Sequence, residues 1–181
     1  MLTSFRKFVG FKILEYFLNN PTEKIYLKEL AKKLDVSPRS VKIYCDLFEK
    51  KEIIKREIKG NMHLFSTNND NFCVREMKRA YISVILEEAN IEKIADNSIS
   101  IAIYGSYASG NYDEKSDLDL LVIGEGRDIK RDMIVNIMEK IDKEIQLTII
   151  PTIKWEKMKR EDDPFVKNII KNHILVKGAE L

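Results

Sequence analysis

Between Ile99 and Val122 the sequence joins one apolar strand to another through a turn of small residues, and no other segment constrains the fold as much. Ile99, Ser100, Ile101, Ala102, Ile103 and Tyr104 are mostly β-branched or aromatic, and the run stops at Gly105. Glycine lets the backbone turn sharply and approach a ligand closely. Ser106 is expected to cap a short helix over Tyr107 to Gly110, ended by that glycine. A strand, a small-residue turn and a helix start aim backbone N–H groups at one spot, which suits phosphate. The second strand, Asp117 to Ile123, places Asp117, Asp119 and Leu121 on one face and Leu118, Leu120 and Val122 on the other. Two carboxylates on one face repel unless a cation lies between them. Magnesium suits the pair, because it takes one or two carboxylates and completes its shell with phosphates and water.

Gly105-Ser106, ten residues, then Asp117-Leu118-Asp119 resembles the signature of the DNA polymerase β nucleotidyltransferase superfamily, in particular its minimal nucleotidyltransferases. Gly110, Ser116 and Leu120-Leu121-Val122 also fit that pattern. The resemblance implies metal-dependent transfer of a nucleotidyl group from a nucleoside triphosphate, ATP first among them, to a hydroxyl. Gly105 and Ser106 would hold the β and γ phosphates, and Asp117 and Asp119 would hold magnesium or manganese. Positioning and charge neutralisation would then carry most of the catalysis.

The family also uses a third carboxylate on a later strand. A helix from about Asp128 to Lys143 is followed by a strand, Glu144 to Ile150, that stops at Pro151. Its polar face is Glu144, Gln146 and Thr148, and Gln146 stands where the family most often has the acid. A glutamine offers a carbonyl oxygen but no negative charge and no base. Glu144, two residues earlier on the same face, is the candidate substitute and completes the expected catalytic set of Asp117, Asp119 and Glu144.

The net charge of +2 conceals an asymmetry. Residues 1–68 hold 14 Lys and Arg against 8 Asp and Glu, whereas the remainder holds 17 against 21. The basic half reads as a helix from about Ser4 to Asn19, an extended Lys24 to Tyr26, and a helix over Leu27 to Leu34. A turn and cap at Asp35 to Pro38 then lead into a helix to Lys50, and strands Ile53 to Ile58 and Met62 to Ser66 follow. This order resembles a winged helix-turn-helix, which implies binding to double-stranded DNA. Ser37, Arg39, Ser40 and Lys42 fall on the outer N-terminal part of the third helix, where major-groove readers place their contacts, and Lys59 and Asn61 fall in the wing.

The expected organisation is α+β: a winged helix-turn-helix over residues 1–68, then a small mixed-sheet nucleotidyltransferase domain with helices over residues 69–181. A connecting helix over about 72–90 opens the second domain and offers an apolar stripe for a homodimer. Helices over Thr152 to Lys159 and Asp163 to Asn172, the latter capped by Asp163, precede a short strand at Ile174 to Val176. Trp155, Tyr104, Tyr107 and Tyr112 read as packing. Two cysteines and two histidines argue against a disulfide framework and a zinc site, and no apolar run reaches membrane-spanning length, so a cytoplasmic protein with no membrane partner is expected.

Three functions follow from this reading. The first is an active nucleotidyltransferase, and the second a transcription regulator whose rear domain senses nucleotide. The third, by resemblance to minimal nucleotidyltransferases paired with toxins, is an antitoxin that modifies or masks a protein partner.

Overall fold

Apolar residues at helical spacing bury one side of each longer N-terminal helix, and a short sheet closes the same core. The computed structural model describes all 181 residues and divides into two units, Met1–Lys78 with Tyr112–Lys115, and Arg79–Asn111 with Ser116–Leu181. In unit 1 the order is α1 (Leu2–Phe5), α2 (Val9–Asn19), β1 (Ile25–Tyr26), α3 (Leu27–Leu34), α4 (Pro38–Lys50), β2 (Ile54–Lys59) and β3 (Met62–Thr67). Ile13, Phe17, Leu30, Val41, Cys45 and Phe65 form its buried centre. Each fully buried side chain of this size contributes about 1.5–3 kcal/mol. The strands run antiparallel in the order β1-β3-β2, and Gly60, at φ 61°, makes the β2–β3 turn.

The single N-terminal helix expected from Ser4 to Asn19 is broken. Phe8 is extended, with φ −90° and ψ 123°, and the break lets Leu2 fold back into a buried position. The cap of α4 follows the sequence reading: Ser40 N–H donates to Ser37 Oγ at 3.0 Å, and Pro38 opens the helix.

Residues Tyr112–Lys115 complete unit 1 through specific bonds. The Tyr112 hydroxyl donates to the Leu18 carbonyl at 3.1 Å, and Glu114 accepts from Thr22 N–H at 2.7 Å and from its hydroxyl at 2.5 Å. Lys78 is 1% exposed, donates to the Tyr112 carbonyl at 2.7 Å and to Asn69 Oδ1 at 3.2 Å, and lies 4.4 Å from the Tyr112 ring centre. Desolvation pulls its ammonium pKa down to about 8, against the weaker attraction of Glu114 and Asp113.

Helix α5 (Phe72–Glu88) passes through the division between the units. Unit 2 continues with β4 (Ser100–Ile103), α6 (Gly105–Ser109), β5 (Leu118–Ile123), α7 (Arg131–Ile141), β6 (Ile145–Ile150), α8 (Thr152–Arg160), α9 (Pro164–Lys171) and β7 (Ile174–Gly178). Its sheet has the order β6-β5-β4-β7, with β5 and β6 parallel and the other neighbours antiparallel, so the sheet is mixed as expected. Asp163 caps α9 by accepting from the N–H groups of Phe165 and Val166, again as expected. Trp155, Val166 and Ile169 pack over Leu121, Ile123 and Ile150, leaving the front of the same sheet face to Asp117 and Asp119. The whole is an α+β chain with two small sheets, and no helix is long and apolar enough to cross a membrane.

Candidate functional site

The turn after β4 brings the two halves of the Gly-Ser and Asp-x-Asp pattern together. Tyr104 N–H donates to the Asp119 carbonyl at 3.0 Å, which continues the β4–β5 ladder to the last residue before the turn. Gly105 then takes φ 69°, and a Cβ built on it would meet Asp119 Oδ2 at 2.2 Å. No side chain can be added there without displacing the carboxylate. Helix α6 begins at Gly105 with Tyr104 as its cap residue, so Ser106 lies inside the helix and does not cap it. The reason is that the turn comes earlier than expected, at Gly105 itself. Gly110, at φ 70°, ends the helix as the sequence reading required. Tyr107 is buried, and its hydroxyl donates to the Ser116 carbonyl at 3.3 Å, fixing the backbone just before Asp117.

Asp117 and Asp119 stand half-buried on one face, and their surroundings differ. Gln146 Nε2 donates to Asp117 Oδ2 at 2.9 Å. The Asp119 carboxylate has no hydrogen-bond or ion-pair partner, and its pKa is raised, first by burial and then by the charge of Asp117. Beside them runs β6, in which Gln146 pairs with Asp119 in the parallel register. Glu144 is exposed one step ahead, and its carbonyl accepts from Leu118 N–H at 2.9 Å. The amide of Gln146 thus occupies the place beside the aspartates, and no group of three or more Asp, Glu, His or Cys side chains is placed to hold a metal ion.

The donor set fits one hard divalent cation. It consists of two carboxylates on one strand face, one of them unpaired, next to the glycine turn at Gly105. The sequence reads Tyr104 as packing alone, yet its hydroxyl and that of Thr148 are 2.9 Å apart, and its ring meets Phe165 edge-on at 5.7 Å. The signal available in the sequence was its position, since residue 104 falls opposite Asp119 when the two strands pair.

In unit 1 the basic residues separate into paired and unpaired ones. Ser37 and Ser40 hydroxyls lie 2.8 Å apart, and Lys42 pairs with Asp46 at 3.0 Å. Arg56 pairs with Asp46 at 2.5 Å and also with Glu49. Arg39, Lys59 and Asn61 are exposed, the first at the start of α4 and the others at the β2–β3 turn.

The profile of the nucleotidyltransferase domain family matches residues 85–176, just over half of the chain. No curated protein matches significantly. Among solved structures, a "possible transcriptional regulator" from Methanosarcina mazei Go1 is 17% identical, with 50% of this chain and 81% of that one covered and a TM-score of 0.34. A toxin–antitoxin structure with AMP-PNP is 13% identical over 56% of this chain and 74% of that one, with a TM-score of 0.37. A candidate nucleotidyltransferase from Sulfolobus solfataricus is 22% identical over 56% of this chain and 80% of that one, with a TM-score of 0.27.

Proposed function

The chain belongs to the nucleotidyltransferase domain family, and we propose that it is a DNA-binding regulator that holds a nucleoside triphosphate with magnesium as a signal. Nucleotidyltransferase domains generally use divalent metal ions, and here Asp117 and Asp119 would hold the ion while Gly105 and Ser106 receive the β and γ phosphates. The bound ion would neutralise phosphate charge and polarise the α-phosphate. The observation that carries this reading is the contrast between the two aspartates: Asp119 is unpaired beside Gly105, while Asp117 is tied to the neutral amide of Gln146. Two carboxylates balance one divalent cation. An amide in the third place adds no charge for a second ion and no base for an acceptor hydroxyl.

Residues 1–68 supply the DNA-binding part in this proposal. Helices α3 and α4, joined by a short turn and followed by the β2–β3 hairpin, support a winged helix-turn-helix reading. Ser37, Arg39, Ser40 and Lys42 would face base edges and phosphates, and Lys59 and Asn61 would act from the wing. The ion pair of Lys42 with Asp46 is solvent-facing and weak enough to exchange for phosphate.

Transfer to a hydroxyl acceptor is the second reading, and the exposed Glu144 at the edge of the acidic face favours it. Titration with AMP-PNP, with and without magnesium, combined with incubation in α-labelled ATP, decides between the two. Magnesium-dependent binding without label transfer supports the regulator. Transfer that survives Gln146→Ala and is lost in Glu144→Gln supports the enzyme, and absence of magnesium-dependent binding sinks both.

A further inference from the structure

Unit 1 contains a cavity of about 510 Å³ between the start of α3, the middle of α4 and the β2–β3 hairpin. That volume lies within the range of small-molecule sites, roughly 300–1,000 Å³. Tyr26, Phe65 and Met62 provide an apolar lining. Met62 is half exposed. Arg56 lies over the Phe65 ring at 5.1 Å and is held by Asp46 and Glu49.

The charge around this lining is unbalanced. Lys28, Lys42 and Arg56 border the cavity against a single carboxylate, Asp46. Both oxygens of Asp46 are already engaged, one by Lys42 and the other by Arg56. Lys28 is exposed at the start of α3 and has no ion-pair partner. With Glu49 also pairing Arg56, the unanswered cation is Lys28: an apolar body would displace water from Tyr26, Met62 and Phe65, and a negative head would meet Lys28. A neutral ligand would leave that excess of positive charge unanswered, and a cation would add to it.

We propose that this cavity binds a small apolar anion, an aromatic or aliphatic carboxylate or sulfonate, and that its occupancy excludes duplex DNA. The exclusion follows because Lys42 and Asn61 border the cavity and are also among the residues assigned to the duplex. Exclusion rests on the DNA-binding reading above; occupancy of the cavity does not. The arrangement would let a metabolite anion release the protein from DNA independently of the aspartate site.

The test uses the full chain and two probes, 8-anilinonaphthalene-1-sulfonate and its uncharged analogue N-phenyl-1-naphthylamine. The sulfonate is expected to bind saturably at one site per chain and to raise the thermal unfolding midpoint. The uncharged dye, Lys28→Met and Met62→Ala should each weaken binding by about tenfold, while Lys12→Met, on a different surface of the unit, leaves it unchanged. Non-saturable binding, equal binding of the uncharged dye, or indifference to both Lys28→Met and Met62→Ala overturns the proposal. With a bound duplex present, displacement of the sulfonate supports exclusion, and its retention overturns that half. If no duplex binds in any arm, the DNA reading fails, and the occupancy result stands by itself.

Discussion

Gly105 and Asp119 are matched so closely that a single added carbon at residue 105 would lie 2.2 Å from Asp119 Oδ2. Gly105→Ala therefore suffers twice, from a side chain at φ 69° and from collision with a half-buried carboxylate. The expected cost is about 1–3 kcal/mol of stability, together with loss of magnesium-dependent nucleotide binding. Chemical denaturation of Gly105→Ala, Asp119→Ala and the double variant tests the coupling. The double variant should recover part of the loss, because the collision is relieved while the backbone strain remains. Additive effects in the three variants would show that the contact does not matter.

Asp119 should oppose folding when no ligand is bound. Burial, followed by the charge of Asp117, raises its pKa above the unfolded value, so its favourable contribution is complete below the unfolded pKa and is lost as pH rises through the folded one. At neutral pH the ionised group is a net burden. Asp119→Asn is expected to stabilise the free protein slightly, the effect being damped by solvent screening, and to abolish magnesium-dependent AMP-PNP binding. Comparing denaturation midpoints at pH 7 and near pH 3.5 gives the check. The gain must shrink at the acid end, and a constant gain would point to something other than charge.

Replacing Gln146 by aspartate removes the amide that donates to Asp117 and adds a third carboxylate beside Asp119. Without ligand the three charges repel, so Gln146→Asp should be less stable than the parent protein. With AMP-PNP present, manganese titration followed by electron paramagnetic resonance should show one tightly held ion in the parent and two in the variant. Weak label transfer from α-labelled ATP should appear only in the variant. Two ions in the parent protein would refute the single-ion reading of the site.

Much of this layout is written locally in the sequence, and the exceptions depend on distant partners. Alternation in Asp117 to Ile123 predicts which face carries the aspartates, and the parallel pairing with β6 adds Gln146 to it. Ser37 and Asp163 act as caps because the groups they accept from lie within three residues. Ser106 does not cap, because the turn begins one residue before it and is set by the strand pairing through Tyr104. The bond from Gln146 to Asp117 runs diagonally across the register, since Gln146 pairs with Asp119, and strand alternation cannot specify it. Lys78 sits within the apolar stripe of α5, and its partners, Tyr112 and Asn69, are supplied by other parts of the chain.

Arg39 and Lys59 should contribute to duplex affinity in different ways. Arg39 is exposed at the first turn of α4, so Arg39→Ala is expected to relax sequence preference by about 1–3 kcal/mol at one base position. Lys59 lies at the hairpin turn, and Lys59→Ala should weaken all duplexes alike and reduce the salt slope by about 1. Fluorescence anisotropy over a series of salt concentrations and operator variants measures both effects. Unchanged slopes in both variants would remove these residues from the DNA face.

Lys78 provides a pH test of the way unit 1 is held together. Its folded pKa, about 8, lies below the ordinary lysine value of 10.5, so between these limits the unfolded chain binds more protons than the folded one. Stability should therefore rise as pH increases from about 8 toward 10.5, and this group should contribute no slope below pH 8, where both states are protonated. Lys78→Met preserves the buried stem but removes the donor to the Tyr112 carbonyl, at a cost of about 1–3 kcal/mol set against the desolvation it relieves. The informative quantity is the difference in slope between the parent and Lys78→Met in urea denaturation from pH 7 to 10. If the parent gains nothing over the variant above pH 8, the ammonium is not desolvated as its burial indicates, and the attachment of Tyr112–Lys115 must depend on Glu114 and the Tyr112 hydroxyl instead.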